Sequence, residues 1–155
     1  TAAIFSWCGR APAHLAEDKD ALDRFGKFGH LFGMAFQMAD DLLDLQNSNS
    51  GKTAFADILN KNPSYPIILA KDKSPGFKQE LATAWKQEAL NESQVKRLGM
   101  AVIATGAADQ TRRKIEEITD AAVNSLGPFA DRPGCKEIAT WADLLLKRIP
   151  RSHAV

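Results

Sequence analysis

No apolar run in this sequence approaches the roughly 20 residues needed to cross a bilayer as a helix. No basic-then-apolar segment opens it either, so no secretory signal is visible. A surplus of one charge is also missing. Twenty Lys and Arg stand against nineteen Asp and Glu, a net charge of +1. That balance argues against a nucleic-acid-binding surface and against a polybasic membrane anchor. Cysteine is scarce. Cys8 and Cys135 have no metal-ligand spacing and read as ordinary thiols of a reducing, cytoplasmic compartment, with a disulfide between them left open. Strand-type alternation is absent, as are internal repeats and low-complexity segments. An initiating Met is absent too. The chain opens on Thr1 with no cap signal ahead of its first apolar residues, and reads as a trimmed chain, a proteolytic fragment or one part of a longer protein.

What is present is helical. Apolar residues make up 45% of 155 positions, enough for a sizeable core in one domain or part of one. Spacings of three and four dominate, punctuated by Gly, Pro and Asn. They predict a helix over Ala2–Ala16, disturbed near Gly9 and Pro12. A second helix starts at Asp18 or Asp20 and runs to about Leu45. Residues 52–66 are expected to form a loop with one short turn. Further helices are predicted at Pro66–Lys71, Gly76–Ala89, Glu92–Thr105, Ala107–Leu126 and Cys135–Ile149. The expected fold class is an all-α helical bundle.

The long second helix carries two stripes. Leu22, Phe25, Gly29, Phe32, Phe36, Ala39 and Leu43 form a predicted buried seam. Beside it run Gly26, Gly29 or His30, Gly33, Gln37, Asp40, Asp41 and Asp44. Each interior glycine costs about 1 kcal/mol relative to Ala, which calls for close helix approach or room for a ligand. Asp40 and Asp44 are like charges one turn apart, which repel by a few tenths of a kcal/mol. They also lie at the carboxyl end of the helix, where the macrodipole disfavours anions. A divalent cation with oxygen ligands would relieve both penalties. Mg²⁺ typically takes one or two carboxylates and completes its shell with water and phosphate.

The run Gly33-Met34-Ala35-Phe36-Gln37-Met38-Ala39-Asp40-Asp41-Leu42-Leu43-Asp44 resembles the second aspartate-rich (DDxxD) motif of the trans-isoprenyl diphosphate synthases. Gly51-Lys52, Asp57-Ile58 and Ser64-Tyr65-Pro66 resemble that family's Gly-Lys, Asp-Leu and Thr-Leu-Pro, in the same order. Thr1-Ala2-Ala3-Ile4-Phe5 resembles its preceding helix, and Trp141 to Arg148 its closing one. The resemblance implies the isoprenoid synthase fold and a Mg²⁺-dependent prenyltransferase that joins isopentenyl diphosphate to an allylic diphosphate. By that resemblance Asp40, Asp41 and Asp44 are metal residues, with Asp40 and Asp44 the main Mg²⁺-facing pair. Gln37, Thr1 and Phe36 would lie at the reacting region, and Lys52 would hold the allylic diphosphate. The implied assembly is a homodimer, or a complex with a partner carrying the first aspartate-rich motif.

Three departures bear on activity. Only one aspartate-rich motif is present, so this polypeptide alone is expected to be inactive. Phe55 stands where the family has Gly before the loop aspartate. Lys61-Asn62 stand where it has Gly-Lys, leaving Lys61 to reach the diphosphate from one position away. A non-catalytic or regulatory subunit of a heteromeric synthase is therefore the alternative. A terpene cyclase is disfavoured by the Phe-Gln-x-x-Asp-Asp run. A plain helical interaction module with an acidic patch is the remaining reading. His14, His30 and His153 show no ligand or triad pairing.

Overall fold

A computed structural model describes residues 1–46 and 55–149. Among the described residues every regular element is helical, as the spacing predicts. The helices are α1 (Ala2–Leu15), α2 (Lys19–Gln46), α3 (Ala56–Leu59), α4 (Tyr65–Lys73), α5 (Pro75–Trp85), α6 (Glu92–Ala104), α7 (Ala107–Ser125) and α8 (Pro133–Arg148), with a 3₁₀ turn at Gly127–Phe129. The chain divides into two compact units. One comprises Thr1–Ala39 and Arg113–Pro150, and the other is built on Asp40–Arg112.

Local chemistry sets the helix ends. After α1, Glu17 adopts φ 54°. Its N–H donates to the His14 carbonyl, and that of Asp18 to the Ala13 carbonyl, a Schellman closure. Asp18 then caps α2, accepting from the Ala21 N–H at 2.9 Å. Ser74 caps α5, with Pro75 in the first turn. Asn91 and Gln94 form a reciprocal capping box on α6. Pro12 does not interrupt α1, which stays helical to Leu15.

In the first unit, α1 and α2 touch through backbone. A Cβ on Gly29 would lie 2.2 Å from the Phe5 carbonyl oxygen, and one on Gly9 2.3 Å from that of Phe25. A Cβ on Gly33 would meet the Ala2 Cα at 2.7 Å. The glycine stripe is therefore a helix-packing device in this unit. Aromatic rings flank the approach. Phe5 meets Phe32 edge-on at 5.4 Å, and Phe28 stacks on Phe32 at 5.7 Å.

This close approach shifts the seam of α2 from its predicted register. The buried side chains of α2 are Ala21, Phe28, Phe32, Ala35, Met38, Ala39, Leu42 and Leu45. Leu22, Phe25, Phe36 and Leu43 are only half-buried. Small residues occupy the line of closest contact, and the larger apolar ones lie to its sides.

The second unit has its own apolar cluster. Leu45, Phe55, Ile58, Ile67, Phe77, Leu81, Val95, Leu98 and Val102 are all buried in it. Helices α3 and α4 are anchored in this cluster by Ile58 and Ile67, each with no exposed surface.

Gly29→Ala should destabilise the protein by about 1–3 kcal/mol, because the added methyl meets backbone that cannot rotate away. Gly76→Ala, whose Cβ would have only the Ser74 Oγ within 4.0 Å, should instead stabilise it by up to about 1 kcal/mol. Denaturant unfolding of the two variants checks both signs.

Candidate functional site

The acidic end of α2 lies in the second unit. Its three aspartates have different surroundings. Asp40 is exposed. Asp41 is half-buried, and its Oδ2 accepts from the Tyr65 N–H at 3.0 Å. Tyr65 is the first residue of α4, so this carboxylate sits on the positive end of that helix. Asp44 is the most engaged. Its Oδ1 accepts from the Ala56 N–H and its Oδ2 from the Asp57 N–H, both at 3.0 Å. Its backbone carbonyl accepts from the Phe55 N–H at 3.2 Å. Three consecutive N–H groups entering α3 thus converge on one residue.

Burial raises the Asp44 carboxyl above its ordinary value of 3.8, and the neighbouring charges of Asp57 and Asp41 add to the rise. The two N–H donors oppose it without cancelling it.

The segment from α3 to α4 is held by side-chain bonds. Asn62 Nδ2 donates to Asp57 Oδ1 at 2.8 Å, and the Asn62 N–H donates to the Asp57 carbonyl at 2.8 Å. Lys61 Nζ donates to the carbonyls of Gln87 at 2.5 Å and Glu88 at 3.4 Å, just past the end of α5. The Trp85 indole donates to the Ile58 carbonyl at 3.2 Å.

Two residues here adopt left-handed backbone, Phe55 at φ 60° and Lys61 at φ 57°. These are the two positions at which the resembled motif has glycine. The backbone keeps a conformation that glycine accepts freely, and the side chains present carry a penalty of about 1–2 kcal/mol each. Phe55 offsets it by burying its ring, worth about 1.5–3 kcal/mol, with only 6% of the residue exposed. The ring lies against Gly99 in α6, where an added Cβ would stand 2.2 Å from the Phe55 Cδ1.

In the first unit, Thr1 Oγ1 donates to Gln37 Oε1 at 2.8 Å, so two of the predicted reacting-region residues are paired. Phe36 is half-buried, its ring 5.7 Å from that of Phe5. Lys52 lies outside the described residues. Sequence reasoning named Asp57 and Asn62 only as motif matches or departures, and it missed Gly99. The available signal for Gly99 was a glycine inside a helical apolar pattern, where something must approach closely.

Among the described residues, no three His, Cys, Asp or Glu side chains form a metal cage. The donor set suits a hard cation of another habit. One exposed carboxylate beside two that accept backbone N–H groups matches an ion that takes one or two protein oxygens and leaves the rest to water and phosphate. Among the described residues, no helix is long and apolar enough to cross a membrane.

Comparison with known proteins gives consistent matches. The sequence model of the polyprenyl synthetase family matches residues 1–102. Subunit 1 of the decaprenyl-diphosphate synthase of Schizosaccharomyces pombe is 30% identical over 125 residues, covering 79% of this chain and 32% of that protein. The geranylgeranyl diphosphate synthase of Mycobacterium tuberculosis is 28% identical over 152 residues, covering 96% of this chain and 43% of that one. Among solved structures, the polyprenyl synthase of Caulobacter crescentus complexed with calcium and isoprenyl diphosphate superposes with a TM-score of 0.83 at 25% identity. That match covers 95% of this chain and 46% of the other. The chain thus spans less than half the length of each of these proteins.

The raised Asp44 value fixes a sign for pH dependence. A carboxyl that holds its proton more tightly when folded stabilises the fold fully below the unfolded value near 3.8. That contribution is lost as pH rises through the folded value. Asp44→Asn removes the titration and keeps one acceptor, with a pH-independent loss of about 1 kcal/mol for the second hydrogen bond. Relative to wild type, the variant should therefore gain stability as pH rises from about 3.8 and then level off. Denaturation midpoints of both proteins between acid and neutral pH check this. A relative loss over the same window would mean that the anion, not the acid, is the favoured buried form.

Proposed function

The chain belongs to the polyprenyl synthetase family, and from that premise we propose that it supplies the second aspartate-rich face of a trans-prenyltransferase. The reaction is condensation of isopentenyl diphosphate with an allylic diphosphate. The observation that carries the reading is the division of labour at the end of α2. Asp41 and Asp44 are held by the N–H groups of α4 and α3, while Asp40 stands exposed.

Asp40 would be the principal Mg²⁺ residue, with the remaining lone pairs of Asp41 and Asp44 directed at the ion or its waters. Mg²⁺, when bound, neutralises charge on the departing diphosphate. Gln37 and Thr1 would face the reacting carbons as a hydrogen-bonded pair, and Phe36 would form part of the apolar wall. Lys52 would hold the allylic diphosphate. Lys61 would join it only by leaving the Gln87 and Glu88 carbonyls. The other aspartate-rich motif would come from elsewhere in the intact protein or from a partner chain, in a homodimer or a heteromer. On this reading the 155 residues alone are inactive.

The alternative is a non-catalytic or regulatory subunit of a heteromeric prenyl diphosphate synthase. Asn62 in place of the family lysine, bonded to Asp57, and Lys61 engaged on backbone carbonyls favour it. Co-purification with a distinct synthase chain, and no turnover without it, would decide for the subunit.

Thermal melting of the intact protein with Mg²⁺ and pyrophosphate tests the site directly. Ligand at a hundred times its dissociation constant should add about 2.7 kcal/mol. The gain should require both components and vanish in Asp40→Asn. An equal gain in that variant would place the diphosphate elsewhere.

A further inference from the structure

The Phe55–Gly99 contact carries a consequence for the acidic end of α2. Phe55 adopts left-handed backbone that a phenylalanine rarely takes, and Gly99 sits inside α6 where alanine would be the better helix former. Two separate local penalties meet in one contact. The ring edge and body, Cδ1, Cε1 and Cγ, all lie within 2.4 Å of where a Gly99 Cβ would be. Only glycine at 99 admits the ring at this depth. The N–H of Phe55 and of the two residues after it are those that converge on Asp44. A ring fixed on α6 therefore fixes the donors that hold the motif's last aspartate.

We infer that Phe55, seated on Gly99, is a positioning residue that holds the α3 turn and its three N–H donors on Asp44 before any ligand arrives. The Asn62–Asp57 and Lys61–carbonyl bonds hold the α3 turn from its other end. The turn is thus set by packing, and ligand binding orders little further there. The inference rests on the diphosphate reading of α2 only for its chemical purpose; the contact itself stands apart from it.

Amide hydrogen exchange on the intact protein tests it without ligand first. Gly99→Ala should raise exchange at Ala56 and Asp57 at least tenfold while leaving α1 amides within twofold. Phe55→Ala removes every side-chain atom that meets position 99, so it should loosen the same amides at least tenfold, and adding Gly99→Ala to it should change them by less than twofold. Phe55→Gly should loosen the same amides at least tenfold, and adding Gly99→Ala to it should change them by less than twofold. Mg²⁺ with inorganic pyrophosphate should then restore tenfold protection in Phe55→Gly but change wild type less than threefold.

Exchange at Ala56 and Asp57 within twofold of wild type in Gly99→Ala overturns the inference. So does a uniform increase across both units, or a further loosening of more than twofold when Gly99→Ala is added to Phe55→Ala. If Phe55→Gly does not fold, the Gly99→Ala and Phe55→Ala pair decides alone. Pyrophosphate binding to wild type is read separately by calorimetry. Its absence alongside the expected ligand-free exchange pattern would sink the diphosphate reading and leave the positioning role intact.

Discussion

A carboxylate at the carboxyl end of a helix faces the negative pole of its own dipole, and burying it adds a desolvation penalty. Asp41 and Asp44 meet both conditions. Each is met by backbone N–H groups at the start of another helix, one donor from α4 and two from α3. The charge that α2 disfavours is thus placed where α3 and α4 favour it. Much else in the second unit follows from that pairing. It fixes where the chain re-enters after the loop, which in turn places Ile58 and Ile67 in the apolar cluster. A four-residue helix such as α3 has little stability of its own. It persists because its donors, its buried Ile58 and the Trp85 indole on its carbonyl all hold it from outside.

The first unit solves a different problem with glycine. Gly9, Gly29 and Gly33 let the backbones of α1 and α2 touch, which no side chain at those positions would permit. The helix-propensity penalty of about 1 kcal/mol per glycine is offset by dispersion contacts along the approach and by the aromatic rings beside it. A stripe of glycines leading to an acidic motif invites a reading as ligand space. Here carbonyl oxygens and Cα atoms already fill that space.

The sequence is a good guide where information is local and repeated. Spacings of three and four gave the helices, and the caps at Asp18, Ser74 and Asn91 are residue types that stop and start helices for stated reasons. It is a poorer guide where a partner lies far along the chain. The α2 seam is displaced because α1 approaches it, and no pattern within α2 encodes that approach. In the sequence, Asp40 and Asp44 stand out from Asp41 only by their one-turn spacing. The differences among the three depend on amides 12, 13 and 24 residues away. Phe55 and Lys61 read as lost glycines, and the residue types alone do not say what backbone they adopt. Both have positive φ, the region that glycine takes freely.

A backbone conformation suited to glycine can be held with larger side chains when outside contacts supply the difference. With glycine at 55 and 61, the conformation is available but not enforced, since glycine samples many others. With Phe and Lys there, the intrinsic preference runs against the conformation, and contacts outside the loop must supply the difference. The ring on Gly99 and the ammonium on the Gln87 and Glu88 carbonyls do so. The loop therefore trades intrinsic freedom for extrinsic restraint. One cation is spent in that trade, because Lys61 faces backbone oxygens and Asn62 is neutral. On the proposed reading, neutralising a diphosphate would then fall more heavily on metal held at Asp40. An acidic motif beside a loop without a free lysine would be coherent on those terms: the carboxylate face is held by backbone donors, and an ion bound there would carry more of the charge.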